Sequence, residues 1–305
     1  MAAQIRVLRR RIKSVQSTKK ITRAMELIAA SRIAKAQQRA AAAAPYAEEI
    51  TRVISAVASQ GGTMTHPLVT DRPNPRSAAV IIVTSDRGLA GGYNSNVLRS
   101  AEDLNAKLRL ESLEPRPYLI GRKGAGFYRF RGRPMSGTWT GFSEQPNYAA
   151  AKEVADAVID AFVRGGEEAD GVDEVHIVYT QFVSGLIQRP VATRLLPLVV
   201  EMTDEPMPDG PVPLYDFEPD SESVLDALLP RYAESRIFAA LLESAASESA
   251  ARRRAMKAAT DNAEDFIKAL TREANAARQA SITQEIMEIV GGAEALTDSE
   301  ASSGS

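Results

Sequence analysis

The residues best placed to do chemistry form a glycine-rich turn, residues 85–94, directly after a run of apolar residues. Such a turn before a helix can hold phosphate, because the free N–H groups at a helix N-terminus attract anions. The spacing does not match the phosphate-binding patterns: G-x-x-x-x-G-K-[ST] is absent, and Gly124-Ala125-Gly126 lacks the third glycine of the dinucleotide motif. We predict a structural or protein-contact turn, with Asp86 and Arg87 as turn or surface residues, and keep phosphate binding as the alternative.

Other groups suited to catalysis or metal binding are few. The chain has no Cys, which removes disulfides, thiolate catalysis and Cys-type zinc sites and fits a reducing compartment. Its two histidines, His66 in a predicted loop and His176 in a predicted strand, are too few for a multi-histidine metal site. The pair Glu167-Glu168 lies in a glycine- and acid-rich stretch that we expect to be solvated. These residues favour structural roles over catalysis, and we predict no metal and no cofactor.

Positive charge is concentrated near the N-terminus. Residues 1–39 contain eleven Arg or Lys and one acidic residue, although the formal net charge of the whole chain is −2. A basic segment can be a solvated face, or it can attract a negatively charged partner. Such a partner would be an acidic protein or a nucleic acid. Nucleic-acid readers usually add aromatic groups, and residues 1–39 contain none. An acidic protein is favoured, and a nucleic-acid-binding rod with strongly salt-dependent binding is the alternative.

Two long helices are predicted at the ends of the chain. Residues 231–290 contain no Gly or Pro and lie between Pro230 and Gly291-Gly292, which are start and stop signals. At about 1.5 Å per residue this helix would be roughly 90 Å long, too long for a compact core to cover. Residues 1–60 predict the other helix, with a kink at Pro45. The predicted seam, in steps of three and four, is Ile5, Leu8, Ile12, Val15, Ile21, Met25 and Ile28 in the first helix and Met256, Ala259, Ala263, Phe266 and Leu270 in the second.

Residues 76–202 predict a central α/β domain. The continuous apolar run at residues 78–84 is typical of a buried parallel strand, and further strands at 117–120, 174–180 and 191–200 alternate with helices. The predicted fold class is α/β plus a long antiparallel coiled coil, with a Rossmann-like domain, a mainly parallel sheet, and terminal helices paired as a shaft. The domain bounds are 1–60, 76–202 and 219–292, followed by a disordered tail at 297–305. No stretch approaches the ~18 apolar residues of a membrane span.

Four strings resemble the family of γ subunits of F-type ATP synthases. They are ITRAMELIAAS (21–31), SDRGLAGG (85–92), AARRRAMKAATDNA (250–263) and ARQASITQEI (277–286). The resemblance is collinear over residues 2–296.

Two departures from the family pattern leave questions open. Ala90 stands where the family often has Cys or Thr, and residues 165–174 look longer and more acidic than the family's turn. That stretch is a neutral insertion, which surface loops tolerate well, or it touches the α subunit or the c ring; we favour the neutral interpretation. A Rossmann-like nucleotide-binding enzyme with a coiled-coil oligomerisation arm is the alternative function, and nucleotide binding by the isolated chain would indicate it.

The resemblance implies a non-catalytic rotor subunit of bacterial type, which couples a membrane c ring to a head of three α and three β subunits. It implies a peripheral position at the cytoplasmic face of the plasma membrane, reached only through partners, and no nucleic-acid partner. The implied contacts with β, including its acidic loops, and with α are Arg9, Arg10, Lys19, Lys20, Arg23, Met25, Arg252, Arg278, Gln279 and Thr283. Those with the c ring and the ε subunit, at the foot of the shaft, are Asp86, Arg87, Gly88, Gly91, Gly92 and Tyr215.

Overall fold

The computed structural model describes residues 2–59, 66–198 and 221–302. The chain divides into two compact units: unit 1 comprises Met1–Leu27 and Arg254–Ser305, and unit 2 comprises Ile28–Arg253. The described helices are α1 (Ala2–Ser59), α2 (Tyr93–Leu110), α3 (Arg122–Phe130), α4 (Tyr148–Arg164) and α5 (Ser221–Ser302). The described strands are β1 (Ser77–Val83), β2 (Glu114–Ile120), β3 (Gly137–Trp139), β4 (Glu174–Phe182) and β5 (Gln188–Leu196).

Unit 2 is built on a five-stranded sheet with the order β3-β2-β1-β4-β5. β1 pairs in parallel with β2 and β4, β2 pairs in parallel with β3, and β5 runs antiparallel beside β4. In the central strand, Ile81 lies opposite Tyr118 of β2 and Ile177 of β4. The whole of β1 is buried, as expected for a parallel strand with helices on both faces of its sheet. The short strand β3 was not predicted from the sequence.

The core of unit 2 lies on both faces of this sheet, because successive side chains of a strand point to opposite sides. Ile81 and Val83 belong to a cluster that includes α4 and the parts of α1 and α5 within unit 2. Val80 and Ile82 belong to a second cluster that includes α2 and α3. Full burial of one such side chain contributes about 1.5–3 kcal/mol. The long helices are therefore structural parts of unit 2.

Both long helices contain a proline, at the predicted kink of the first helix and at the predicted start of the second. Pro45 lies inside α1, and Pro230 lies inside α5, which begins at Ser221. Ile50, five residues after Pro45, and Leu229, directly before Pro230, are buried in the core of unit 2, and such packing outweighs a local loss of helix propensity.

The end of α5 also differs from the prediction. The helix continues through Gly291 and Gly292 to Ser302, where a helix end and then a disordered tail were expected. Glycine inside a helix costs only about 1 kcal/mol relative to alanine, so a glycine pair is a weak stop signal. Residues 303–305 lie outside the described residues.

In unit 1, α1 and α5 form an antiparallel coiled coil. The hydroxyls of Thr22 and Thr260 are 2.7 Å apart, and Lys19 Nζ donates to Glu264 Oε2 at 3.0 Å. From Lys19 to Thr22 the residue number rises along α1, while the number of the paired residue on α5 falls from 264 to 260. The two helices are therefore antiparallel. The buried and half-buried seam positions follow steps of four and three and are Leu8, Ile12, Val15, Lys19 and Thr22 on α1, and Met256, Thr260, Ala263, Ile267, Leu270, Ala274 and Ala277 on α5.

The observed seam differs from the predicted one because it contains polar residues, Lys19 and Thr22, where the prediction placed Ile21. Ile21 is 61% exposed and Phe266 is 65% exposed, so both lie outside the seam, and Ile28 in unit 2 is exposed as well. The predicted phase shift near Thr18 is also wrong, since the four–three spacing continues through Thr22. The prediction followed hydrophobicity alone, whereas the structure buries two threonines whose hydroxyls share one hydrogen bond and also lie within hydrogen-bond distance of carbonyls of their own helices.

The predicted fold class, α/β plus a long antiparallel coiled coil, is confirmed. A mainly parallel, Rossmann-like sheet with helices on both faces forms unit 2, and paired helices from the two ends of the chain form unit 1. Over residues 2–59, 66–198 and 221–302, no helix combines the length and apolarity that crossing a bilayer requires.

Candidate partner-binding surface and the Glu144 junction

The glycine-rich turn between β1 and α2 is bonded to its own residues. The Ser85 hydroxyl donates to the carbonyl of Arg87 at 2.7 Å, and the Ser85 N–H donates to Asn94 Oδ1 at 2.9 Å. Leu89 and Gly91 adopt positive φ angles of 63° and 55°, which give the turn its tight course. These contacts favour the structural interpretation of the turn over a phosphate cradle.

Asp86, predicted to touch the foot partners, is buried and acts as a local acceptor. Its carboxylate accepts the N–H groups of Arg122 at 3.1 Å, Gly141 at 2.8 Å and Ser143 at 3.0 Å. Burial alone would raise the pKa of Asp86, but these three donors stabilise the ionised form and lower the pKa below its usual value. The carboxylate thus fixes the start of α3 and the loop before α4.

Glu144, in the loop between β3 and α4, binds three arginines from different parts of unit 2. Its Oε2 atom pairs with Arg32 of α1 and, at 3.5 Å, with Arg87 of the glycine-rich turn. Its Oε1 atom lies 3.2 Å from Nη1 of Arg252 on α5, as an ion pair without hydrogen-bond geometry. We call Arg32, Arg87, Glu144, Glu248 and Arg252 the Glu144 junction.

The part of the junction on α5 is almost completely buried. Arg252 is 5% exposed and Glu248 is 1% exposed, and Arg252 Nη2 donates to Glu248 Oε1 at 2.7 Å. The Arg252 guanidinium also reaches the carbonyls of Arg87 and Gly88 at 3.4 Å. Burial raises the pKa of Glu248, and the charge of Arg252 opposes this shift.

The junction changes how the predicted contact residues are grouped. Arg252 was predicted to contact β, and Arg87 and Gly88 were predicted to contact the c ring or ε. The structure brings these residues within 3.4 Å of one another. The buried guanidinium of Arg252 is engaged inside unit 2, whereas Arg87, Gly91 and Gly92 have exposed surface. Tyr215 lies outside the described residues.

The remaining predicted contacts lie on the outside of unit 1. Lys19 and Met25 are half-buried, and Lys19 pairs with Glu264. Arg23 pairs with Glu26 one turn away along α1. The exposed members are Arg9, Arg10, Lys20, Arg23, Arg278, Gln279 and Thr283. Their contact with a partner remains a prediction.

Large apolar side chains are also exposed on unit 1, and the sequence analysis did not predict them as surface. Within α5 several of them are three or four residues apart, a spacing that brings side chains together on a helix surface. Exposed apolar groups that cluster indicate an interaction surface. Apart from Ile21 and Phe266, which were predicted to lie in the seam, they fall outside the predicted seam spacing. They are Val7, Ile21, Leu27, Phe266, Ile282, Ile286, Met287, Ile289 and Val290.

The histidines and the acidic stretch take part in local structure. His176 Nε2 lies 2.7 Å from Glu174, and His66 Nε2 lies 3.1 Å from Asp226. The hydrogen bond from His176 lowers the pKa of Glu174. Within residues 165–174, the Asp173 carboxylate accepts three backbone N–H groups, so part of this stretch belongs to the framework of unit 2. Among the described residues no group of three His, Asp or Glu is placed to hold a metal ion.

Comparisons with known proteins agree with one another. The family model described as ATP synthase matches residues 4–296. The ATP synthase gamma chain of Frankia casuarinae is 67% identical over 296 residues, covering 97% of this chain and 99% of that relative. The ATP synthase gamma chain of Acidothermus cellulolyticus is 62% identical over 296 residues, covering 97% of this chain and 98% of that relative. A chain of the Euglena gracilis mitochondrial ATP synthase structure of OSCP, F1 and c-ring matches with a TM-score of 0.69, 16% identity, and coverage of 98% and 97%, so it speaks to the fold alone.

Proposed function

The chain belongs to the ATP synthase gamma chain family, and on this premise we propose that it is the central-stalk rotor subunit of a bacterial F-type ATP synthase. In this role it transmits rotation between a membrane c ring and a head of three α and three β subunits. Proton flow is thereby coupled to ATP synthesis or hydrolysis. Its structural neighbours include chains from a central stalk with c-ring and from a rotor, which supports the proposal.

The observation that carries the proposal is the exposed surface of unit 1. Its two helices bury one narrow seam, and their outer faces expose both arginines and large apolar side chains. Clusters of exposed apolar side chains, such as Phe266 and Met287, are rare on soluble proteins that act alone and indicate a surface that binds another protein. A surrounding ring of subunits would cover the apolar groups and meet the arginines with acidic loops.

An asymmetric helix pair can drive a cycle in three equivalent catalytic sites. A partner shifts a conformational equilibrium only through its different interaction with each state. As the pair turns, each β subunit meets a different face, so its nucleotide affinity changes in sequence. One charge crossing 100 mV yields about 2.3 kcal/mol, so several ions must act together for each ATP. Uninterrupted helices carry that work with little loss to local unfolding.

The proposed contacts follow the surfaces of the two units. The acidic loops of β, with α, would meet Arg9, Arg10, Lys20 and Arg23 on α1, and the C-terminal part of α5 around Arg278. The exposed part of the glycine-rich turn in unit 2 would meet the ε subunit or the c ring. In this proposal the chain has no catalytic residue, and it lies at the cytoplasmic face of the plasma membrane through its partners.

The proposal is tested by reconstituting the affinity-tagged chain with the α and β subunits of its own organism. We expect all three to co-purify as an active ATPase, while the chain alone hydrolyses no ATP. At low salt the α and β subunits should bind the double variant Arg9→Glu/Arg10→Glu less tightly than the wild-type chain, because its new negative charges face the acidic loops of β. The control is Arg109→Glu/Arg129→Glu, which makes the same charge change on exposed residues of unit 2.

Failure of α and β to bind the wild-type chain would contradict the proposed function. Equal retention of the two double variants would contradict the proposed contact of α1 with β. ATP hydrolysis by the isolated chain would favour the enzyme alternative.

A further inference from the structure

One carboxylate joins four parts of unit 2. Glu144 lies in the loop before α4, and its three arginine partners come from α1, from the glycine-rich turn and from α5. Arg252 adds bonds to Glu248 on its own helix and to two carbonyls of the turn. The sheet domain is therefore tied to both long helices at one point.

The position of the junction along the two helices is specific. Arg32 follows closely after Ile28, where α1 enters unit 2, and Arg252 is next to Arg253, where the unit 2 part of α5 ends. Each helix continues from there into the residues of unit 1. The junction therefore lies on both helices within a few residues of the boundary of unit 2.

Ion pairs and apolar packing resist force differently. Apolar contacts are non-directional, so they oppose separation more than sliding. Ion pairs hold particular side chains close together, and the hydrogen bonds of Arg252 to Glu248 and to the Gly88 carbonyl add preferred angles. The junction therefore opposes sliding and rotation as well as separation. A core made of Ile and Leu against alanine-rich helices gains a fixed register from such a junction.

We propose that Glu144 is a positioning residue that fixes the sheet domain to α1 and α5, so that torque applied to unit 2 passes into both helices without slip. The inference rests on the proposed function. Arg32 and Arg252 are the two pairs through which the torque passes, and Arg87 holds the glycine-rich turn in the same network. In this role Glu144 acts through its ion pairs and not on ATP itself.

The test measures how firmly unit 2 follows the helices in the assembled complex of α, β and this chain. The chain has no Cys, so Ala106→Cys on the exposed face of α2 attaches a bead at a single site. The angular variance of the bead is recorded while the complex pauses between ATP-driven steps. Glu144→Gln should increase this variance by about twofold or more, as changes along a coupling network do.

Two variants serve as controls. Glu102→Gln removes the same charge from the pair with Arg133, which joins α2 to the segment after α3 and involves neither long helix. Glu144→Asp keeps the charge on a shorter side chain and should restore part of the stiffness. If Glu144→Gln does not assemble, Arg32→Gln takes its place, and a smaller increase is expected because two of the three arginines stay paired.

A second readout separates a positioning role from general destabilisation. In membranes, proton pumping per ATP hydrolysed should fall by about twofold or more in Glu144→Gln while ATP hydrolysis continues. Glu102→Gln should leave this ratio at the wild-type value. A complex that assembles and rotates, but in which Glu144→Gln and Glu102→Gln have the same variance and pumping ratio, overturns the inference. A wild-type chain that does not assemble with α and β overturns the proposed function instead.

Discussion

The same two helices are used differently in the two units. In unit 2, Ile237, Leu241 and Ala250 of α5 are buried, and the helix is part of a layered core. In unit 1, burial on α5 is confined to positions every three or four residues, and the intervening faces are exposed. A helix that contributes to a core is held by its surroundings. A helix in a two-membered coil leaves most of its surface for other molecules.

Charged residues follow the same division. Unit 2 buries Arg252 with Glu248 and draws three arginines onto Glu144, so that charge fixes its internal geometry. Unit 1 keeps Arg9 and Arg10 on the outside. Buried pairs are costly to break, whereas exposed charges contribute little to stability and act mainly in association. The comparison therefore predicts that substitutions of buried residues in unit 2 alter folding, and that substitutions of exposed residues outside the seam of unit 1 alter binding.

The largest effect is expected for Leu241→Ala in the core of unit 2. Loss of a buried leucine side chain costs about 2–5 kcal/mol of unfolding free energy. Urea unfolding followed by fluorescence of the single tryptophan, Trp139 in β3, measures this loss. The matched change in unit 1, Leu270→Ala on the seam, should cost less, because fewer layers surround it. Unfolding of Leu270→Ala is followed by circular dichroism of its helices. A larger loss of unfolding free energy for Leu270→Ala than for Leu241→Ala would contradict the proposed difference between the two units.

A smaller loss, with a characteristic pH dependence, is expected for Asp173→Asn. Burial opposes ionisation of Asp173, but N–H donors from Arg76, Gly166 and Ser77, with Arg72, lower its pKa below the usual value. The stability that the carboxylate provides is therefore fully present above the unfolded pKa of about 4 and is lost as the pH falls through the folded pKa. At pH 7 the variant should lose about 2 kcal/mol of unfolding free energy.

The difference in unfolding free energy between wild type and Asp173→Asn should narrow below about pH 4. There the unfolded chain takes up a proton on Asp173, while the native carboxylate stays ionised to lower pH. Urea unfolding at a series of pH values measures this difference. Asp103→Asn, at an exposed position of α2, is the control and should follow the wild type throughout. A gap that stays constant from pH 7 to pH 3 would show that the ionised form of Asp173 is not what stabilises unit 2.

An intermediate effect is expected for the threonine pair of the seam. Thr22→Val leaves the buried hydroxyl of Thr260 without its cross-helix partner, which should cost about 1 kcal/mol. The double variant Thr22→Val/Thr260→Val removes both hydroxyls and should lose less than the sum of the two single losses. Thermal unfolding of the helices gives the three values. Strict additivity would mean that the hydroxyls do not interact in solution.

The smallest effect on stability is expected for Phe266→Ala. The side chain is exposed and lies outside the seam, so the unfolding free energy should change by less than about 0.5 kcal/mol. Affinity for the α and β subunits should nevertheless fall by about tenfold, as truncation of a buried aromatic at an interface does. Calorimetric titration measures the affinity. A destabilised chain with unchanged affinity would place Phe266 in the internal packing after all.

Local patterns predicted the framework of the fold. The apolar run of β1 marked a buried parallel strand, and the absence of glycine and proline over residues 231–290 marked a long helix. These signals are local, because burial on both sides or helix propensity is encoded within the segment itself. The continuation of α5 through Pro230 was not predicted, because the packing that carries the helix through this residue involves residues distant in sequence.

The polar part of the structure could be predicted least. Nothing near Glu144 in the sequence indicates three arginines from three other segments, since such a cluster arises only from the fold. The pair Glu248 and Arg252 is one that the sequence could have shown, although it was not predicted, because a spacing of four on a helix favours contact. The seam through Thr22 was missed because a buried threonine resembles an exposed one in sequence until its partner is known.

Rotation of a single complex tests the central claim most directly. The complex of α and β with this chain is fixed to a surface through the head, and a bead is attached to unit 2 through Ala106→Cys. The account predicts that added ATP turns the bead stepwise in one direction, and that rotation stops when ATP is removed. Full ATP hydrolysis by the complex with a bead that shows only random angular motion would contradict it.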